Sequence, residues 1–242
     1  MRIRQIELAA LLFTSVLVAG CGGGGGDGDS DAKSSPSTSP SVSAPASASK
    51  PAPVKESEAA ADPLDAAQLK SAALSGTDAD GFQVTAFPAK PAGGGTARPA
   101  ACQPLENMRT ASPKPAPKEF VGLLAYATSG SSAGSATTIG LMAYDQPDAE
   151  GVLDGLRTAV KECTAWEGGV PARTTAKAAT APDAGDDAVA FTLQTRGDSS
   201  DAFVVVRSGA TVVTFSTVSG TGSAAEVPEE LVSAQVKKLE QA

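Results

Sequence analysis

Gly130-Ser131-Ser132-Ala133-Gly134 repeats the G-x-S-x-G spacing that presents a nucleophilic serine on a sharp strand-to-helix turn. A serine so placed needs a base to take its proton, and the 242-residue chain contains no histidine. The same absence removes Cys-His pairs, His-ligated zinc and a histidine pH switch. A strand pattern, not a helix, follows Ser132, which therefore reads as a loop serine. Carboxylate chemistry survives the loss of histidine. Asp186-Asp187, just after Gly185, could pair two acids, although the run also fits a turn entering a strand. Asp27, Asp29 and Asp31 have the spacing of a calcium loop. Ala32 stands where that loop needs glycine and Thr38 where it needs glutamate, so the tract reads as solvated acid. Glycines 22–26 and 93–95 lack the G-K-[ST] continuation of a phosphate cradle. No metal, cofactor or catalytic set is expected; a carboxylate-based hydrolase is the enzymatic alternative left standing.

Cysteine chemistry is more informative, because the three cysteines sit in different contexts. Arg2 and Arg4 precede an apolar run of 11 residues, Leu8 to Val18, too short to span a bilayer. The run ends in Val18-Ala19-Gly20-Cys21, which resembles the lipobox of bacterial lipoproteins. The resemblance implies that residues 1–20 are a signal peptide. It also implies that Cys21 is lipidated on sulfur and becomes the mature N-terminus. Cys102 and Cys163 then remain as an even pair in an exported chain, and a disulfide between them is expected.

Residues 21–60 comprise the cysteine and a glycine, serine, proline and alanine tract with scattered charge. Such a segment has almost nothing to bury against the entropy of ordering it. It reads as a disordered tether, with a coil dimension of roughly 35 Å for about 40 residues. The formal charge is −8, and setting aside Arg2, Arg4 and Glu7 of the leader makes the mature chain more negative by one. An acidic protein without a basic stripe repels phosphate backbones, so nucleic acid is not an expected partner.

Residues 61–242 carry the pattern of one folded domain. Asp62 and Pro63 open a helix whose stripe is Leu64, Ala67, Leu69 and Leu74. Phe82, Val84 and Ala86 alternate as a strand, and residues 101–112 hold a short helix despite Pro104. Two apolar runs, at 119–128 and 137–145, flank a flexible loop. Between 147 and 163, Val152, Leu153, Leu156, Ala159 and Val160 recur at helical spacing. Val189, Phe191 and Leu193 alternate next, and two β-branched runs then flank Ser208-Gly209, a hairpin signal. Leu231, Val232, Val236 and Leu239 mark a closing amphipathic helix. The expectation is an α+β domain: an antiparallel sheet of about six strands, three or four helices packed on it, and one disulfide. A pocket between the sheet and the 148–164 helix would be the most informative feature to find.

Trp166, Tyr144 and Asp186 are the candidates for a ligand site. For Trp166, the only tryptophan, the alternative is a core residue packing on the disulfide. Tyr144 before the main helix, Cys163 near its end, Gly185-Asp186, the strand Val204-Val205-Val206-Arg207 and the closing Gln235-x-x-Lys238-Leu239 occur in one order. That order, over about residues 100–242, resembles the PknH-like extracellular sensor domains of actinobacteria, found on membrane-bound kinases and as lipoproteins. The resemblance implies a sheet with helices around a cleft, held by disulfides, and a sensing or ligand-binding role. The kinase-borne member has more cysteines, so only one bridge carries over. Together these features point to a non-catalytic ligand-binding or sensor-like domain, lipid-anchored to the cell membrane on its extracytoplasmic face. Its ligand would be a small molecule, a lipid or an envelope component. The alternative is an envelope structural or assembly factor that binds a protein or wall polymer.

Overall fold

A computed structural model describes residues 62–88, 94–168, 173–197, 200–218 and 225–242. The expected signal peptide, Cys21, the Asp27–Asp31 tract and the tether lie outside these residues.

Eight strands form one sheet: β1 (Phe82–Ala86), β2 (Glu119–Ala127), β3 (Ala136–Ala143), β4 (Ala165–Glu167), β5 (Arg173–Ala179), β6 (Asp187–Thr195), β7 (Ser200–Ser208) and β8 (Thr211–Val218). Their order is β1-β2-β3-β8-β7-β6-β5-β4, with every neighbouring pair antiparallel. The α+β class and the antiparallel sheet are as expected; the strand number of about six is corrected to eight. The two additional strands are β4 and β5, both at one edge. β5 reads Arg-Thr-Thr-Ala-Lys-Ala-Ala and buries only Thr174, so it carries no apolar alternation to announce it. β4 is three residues long and holds a single buried side chain, Trp166. Edge pairing, rather than a hydrophobic pattern, defines both.

Four helices complete the described fold: α1 (Ala66–Ser71), α2 (Gln103–Arg109), α3 (Gln146–Glu162) and α4 (Glu229–Leu239), with a 3₁₀ turn at Ala100–Cys102 before α2. Pro104 and Pro147 sit in the first turns of α2 and α3, where a missing N–H costs nothing. The N-cap of α1 is Asp65, not Asp62. Asp65 accepts from the Ala67 and Gln68 amides at 2.9 Å, while Gln68 Oε1 accepts from the Asp65 amide. This reciprocal capping box needs Gln three residues on, and Asp62 has Asp65 there instead.

Period-two alternation sends side chains of the central strands to two separate cores. Leu123, Ile139, Leu141, Val213 and Phe215 face α1 and α4. Met142, Phe191, Phe203, Val205 and Val212 face α2 and α3. Within the second core Phe191 and Phe203 stack with ring centroids 5.1 Å apart. The helices thus lie on both faces. The β7–β8 hairpin pairs Ser208 with Thr211, which leaves Gly209-Ala210 as its two-residue loop. That is one residue later than the Ser208-Gly209 expectation. Gly209 has φ 56°, the positive value a II′-type loop needs at its first position.

Cys102 and Cys163 are joined in a disulfide with Cα atoms 5.4 Å apart and a sequence separation of 61. On the chain-entropy account, closing such a loop contributes about 4 kcal/mol. It fixes the start of α2 to the C-terminal end of α3.

Candidate functional site

Each ligand candidate taken from the sequence is held by the fold. Trp166 is buried beside the cystine in the second core, and its Nε1–H donates to Glu106 Oε2 at 2.9 Å. Glu106 is itself fully buried and accepts two bonds from Arg109, at 2.9 Å from Nε and 2.6 Å from Nη2. Its carboxylate therefore carries three charge-assisted bonds, which offset the cost of burying it. Sequence reasoning passed over Glu106; the signal available was its i,i+3 spacing to Arg109 on a short helix.

Tyr144 is also buried. Its amide donates to the Ala210 carbonyl, and its hydroxyl lies 3.6 Å from Met142 Sδ. Burial first, then the nearby Asp148 charge, push its ionisation far above the ordinary tyrosine range. It anchors the start of α3 to the β7–β8 hairpin and presents nothing to solvent.

Asp186 and Asp187 do not converge on one site. Asp186 Oδ2 accepts from the Gly209 amide at 2.7 Å and from Arg207 Nη1 at 2.9 Å, which braces the hairpin loop. Asp187 accepts from Arg157 Nη2 through both oxygens, at 2.5 and 2.6 Å, and so ties β6 to α3. The hydrogen bond to Asp187 is the main reason the Arg157 guanidinium holds its proton more tightly than usual. Two adjacent acids are thus engaged by two different arginines.

Other residues of the ordered motif act likewise. Gln235 is buried, donating to the Ala72 carbonyl at 2.8 Å and accepting from the Leu74 amide at 3.0 Å. Lys238 reaches Asp78 Oδ2 at 2.6 Å. Both hold α4 against the segment joining α1 to β1. Ser132 lies in the turn after β2, between Gly130 and Gly134 at positive φ, and β3 follows. The strand–turn–helix context of a nucleophile elbow is missing.

The interface between the sheet and α3 is filled. Val152, Leu153, Leu156 and Ala159 are buried there against β6 and β7. Open space lies instead on the other face of the sheet. A groove of about 730 Å³ runs over Ala190 and Thr192 of β6 and Ala202 and Val204 of β7. It is flanked by residues 179–183 at the end of β5 and beyond it, by residues 225–230 entering α4 and by Val232, and Ser131 and Ser132 also line it. That volume suits a small organic molecule. Asp183, Glu226, Glu229 and Glu230 line it and are exposed. Neither lysine nor arginine contributes to the lining. Five stretches of chain build the groove, and no local spacing in the sequence could have marked it.

Among the described residues no group of histidine, cysteine, aspartate or glutamate is arranged to hold a metal ion. No described helix is long and apolar enough to cross a membrane.

No family profile matches the chain, and no curated protein matches it in sequence. Among solved structures, the extracellular domain of PknH from Mycobacterium tuberculosis superposes with a TM-score of 0.51 and 11% identity. The match covers 75% of this chain and 99% of that domain. An uncharacterized protein of Mycobacterium smegmatis, the Rv0999 ortholog, is 19% identical over 72% of this chain and 94% of its own, with a TM-score of 0.36. The first likeness establishes a shared fold, that of a PknH-like extracellular domain.

Proposed function

Proceeding from the fold shared with the extracellular domain of PknH, we propose that this chain is a lipid-anchored extracytoplasmic protein whose domain binds a ligand without chemically altering it. The observation that carries this reading is the groove beside α4. It is concave, floored by Ala190, Thr192, Ala202 and Val204 and sized for a small molecule. A sensor-like role fits the same geometry.

The anchor rests on the basic start, the 11-residue apolar run and Val18-Ala19-Gly20-Cys21. Lipid chains on Cys21 would hold the protein to the membrane through roughly 0.8 kcal/mol for each buried methylene. The non-catalytic reading rests on side chains already committed to the fold. Asp186 and Asp187 are each bound to an arginine, Glu106 is buried in an ion pair, and the chain offers no histidine as a base.

A second reading has one observation in its favour. On the face opposite α1 and α4, Tyr126 and Val218 are both more than 40% exposed. They share one row across the sheet through Ala136, and no helix covers them. Such a row suits a protein or wall polymer, as in an envelope assembly factor.

Fractionation of cells expressing Cys21→Ser tests the anchor: release into the soluble fraction is expected, and continued membrane retention contradicts it. Amide chemical shifts of the full chain, surveyed with fragment-sized compounds, test the binding. Changes clustered at Ala190, Thr192, Ala202 and Val204 support the ligand-binding domain. Changes confined to Tyr126 and Val218 support the second reading instead.

A further inference from the structure

We propose that the open face of the sheet over β1, β2, β3 and β8 binds an uncharged glycan chain. This rests on the second reading above, of Tyr126 and Val218 as a contact surface, and it names what that surface takes.

Alternation defines the face. Leu123, Ile139 and Phe215 point into the first core, so Leu124, Thr138 and Ser216 stand on the opposite side. They form a row two residues along the strands from Tyr126, Ala136 and Val218. On that side α3 packs mainly against β5, β6 and β7. Tyr126 is 49% and Val218 43% exposed, and Gln83, Thr85 and Thr138 are exposed beside them. Phe87 is the third large apolar residue exposed among the described ones. Its amide donates to the Gly122 carbonyl at 2.8 Å, and its own carbonyl stands 2.5 Å from where a Gly122 side chain would begin, on this same side. Every exposed large apolar residue described thus lies on or beside this face.

Charge selects the occupant. The chain carries 19 basic and 27 acidic residues, yet the only charged residue within β1, β2, β3 and β8 is Glu119. Glu119 alternates to the side of Val121 and the first core, so these four strands place no charge on the open face. The next residue of the Tyr126–Val218 row, Asp201 of β7, is the charge at its border. A polymer bearing phosphates or carboxylates finds no cation on these strands, and the net charge of −8 repels it. What the face offers is ring surface on Tyr126, hydroxyls on Thr85, Thr138 and Ser216, and the amide of Gln83. An aromatic ring carries negative charge on its face, which draws the C–H side of a sugar ring. Hydroxyls and an amide both donate and accept, as sugar hydroxyls require.

Size argues against a protein partner held by this face alone. Gly122 to Tyr126 spans about 14 Å at roughly 3.4 Å per residue, and four strands about 4.8 Å apart cover about 14 Å in the other direction. The resulting patch of roughly 200 Å² falls well below the roughly 800 Å² that each partner buries in a stable protein interface. A few sugar rings lying flat need no more.

The test titrates two six-sugar probes into the full chain and follows its amide shifts. One is cellohexaose, which is uncharged; the other is a β-1,4-linked mannuronate hexamer, which carries a carboxylate on every ring. Cellohexaose is expected to perturb the Tyr126, Thr138 and Val218 amides and to bind about tenfold more tightly than the mannuronate hexamer. Added salt should leave the cellohexaose affinity of the wild type unchanged, a readout independent of how any variant folds. Tyr126→Ala should weaken cellohexaose about tenfold, the size of a lost stacking contact, while Tyr126→Phe keeps the ring and should stay within about threefold. Equal or tighter binding of the mannuronate hexamer at these amides overturns the selection for an uncharged chain. If cellohexaose leaves them unmoved but they shift with protein concentration alone, a second copy occupies the face: the glycan is overturned and the contact surface stands. If neither moves them, both fall.

Discussion

Trp166 and Glu106, sixty residues apart in sequence, meet through a 2.9 Å hydrogen bond from the indole Nε1–H to Oε2 in a fully buried pocket. Glu106 is also paired with Arg109, so α2, the edge strand β4 and the cystine share one polar knot inside an apolar core. Replacing Trp166 by Phe should lower unfolding stability by about 2 kcal/mol, through a lost bond to a charged acceptor. Glu106→Ala removes one side of a buried ion pair and should cost about 4 kcal/mol. Urea denaturation checks both, and a Trp166→Phe midpoint equal to wild type would place Trp166 outside the structural core.

Gly185 and Asp186 support the hairpin loop by different physics. Asp186→Ala frees the Gly209 amide and Arg207, but the site is half-exposed and water replaces the bonds, so the loss should be about 1 kcal/mol. Gly185 has φ 63°, and a Cβ there would stand 2.4 Å from the Arg207 carbonyl oxygen. Gly185→Ala should therefore cost more, about 3 kcal/mol. Thermal melts of the two variants give the order, and the reverse order contradicts this account of the loop.

Asp78 links stability to pH. The hydrogen bond from Lys238, followed by the Ser75 amide, holds its carboxyl below the ordinary value of 3.8. A carboxyl depressed in the folded state adds stability above its unfolded pKa, and that stability is lost as pH falls through the folded value. The wild type should lose this contribution below about pH 4, while Asp78→Asn, less stable at neutral pH, should show a shallower acid limb. Melting temperatures across that range should converge at low pH; parallel curves would show that Asp78 contributes nothing to acid sensitivity.

The sequence made legible whatever depends on local pattern. Phe191 and Leu193 alternate along β6, and Val152, Leu153 and Leu156 recur along α3, because one face of each is buried. β5 escaped because a strand next to the sheet edge with one buried threonine shows no apolar alternation. The N-cap of α1 shifted from Asp62 to Asp65 because the capping residue is set by its partner three positions on. Trp166, Tyr144 and Asp186 looked available for binding because their types are those of binding sites. Burial and the partners Glu106, Ala210 and Gly209 are tertiary facts. The groove is the extreme case: Asp183, Ala202 and Glu226 become neighbours only once β5, β6, β7 and α4 have assembled.

The most direct test of the central claim fills the groove. Thr192 is half-buried in its floor, and Trp at that position suits a strand while occupying the space a ligand would take. Binding of the fragment-sized compounds that shift the Ala202 and Val204 amides would be measured on wild type and on Thr192→Trp. The account predicts that the variant melts as a folded domain and loses that binding. A folded variant that binds them as tightly as wild type would contradict the groove as the ligand site.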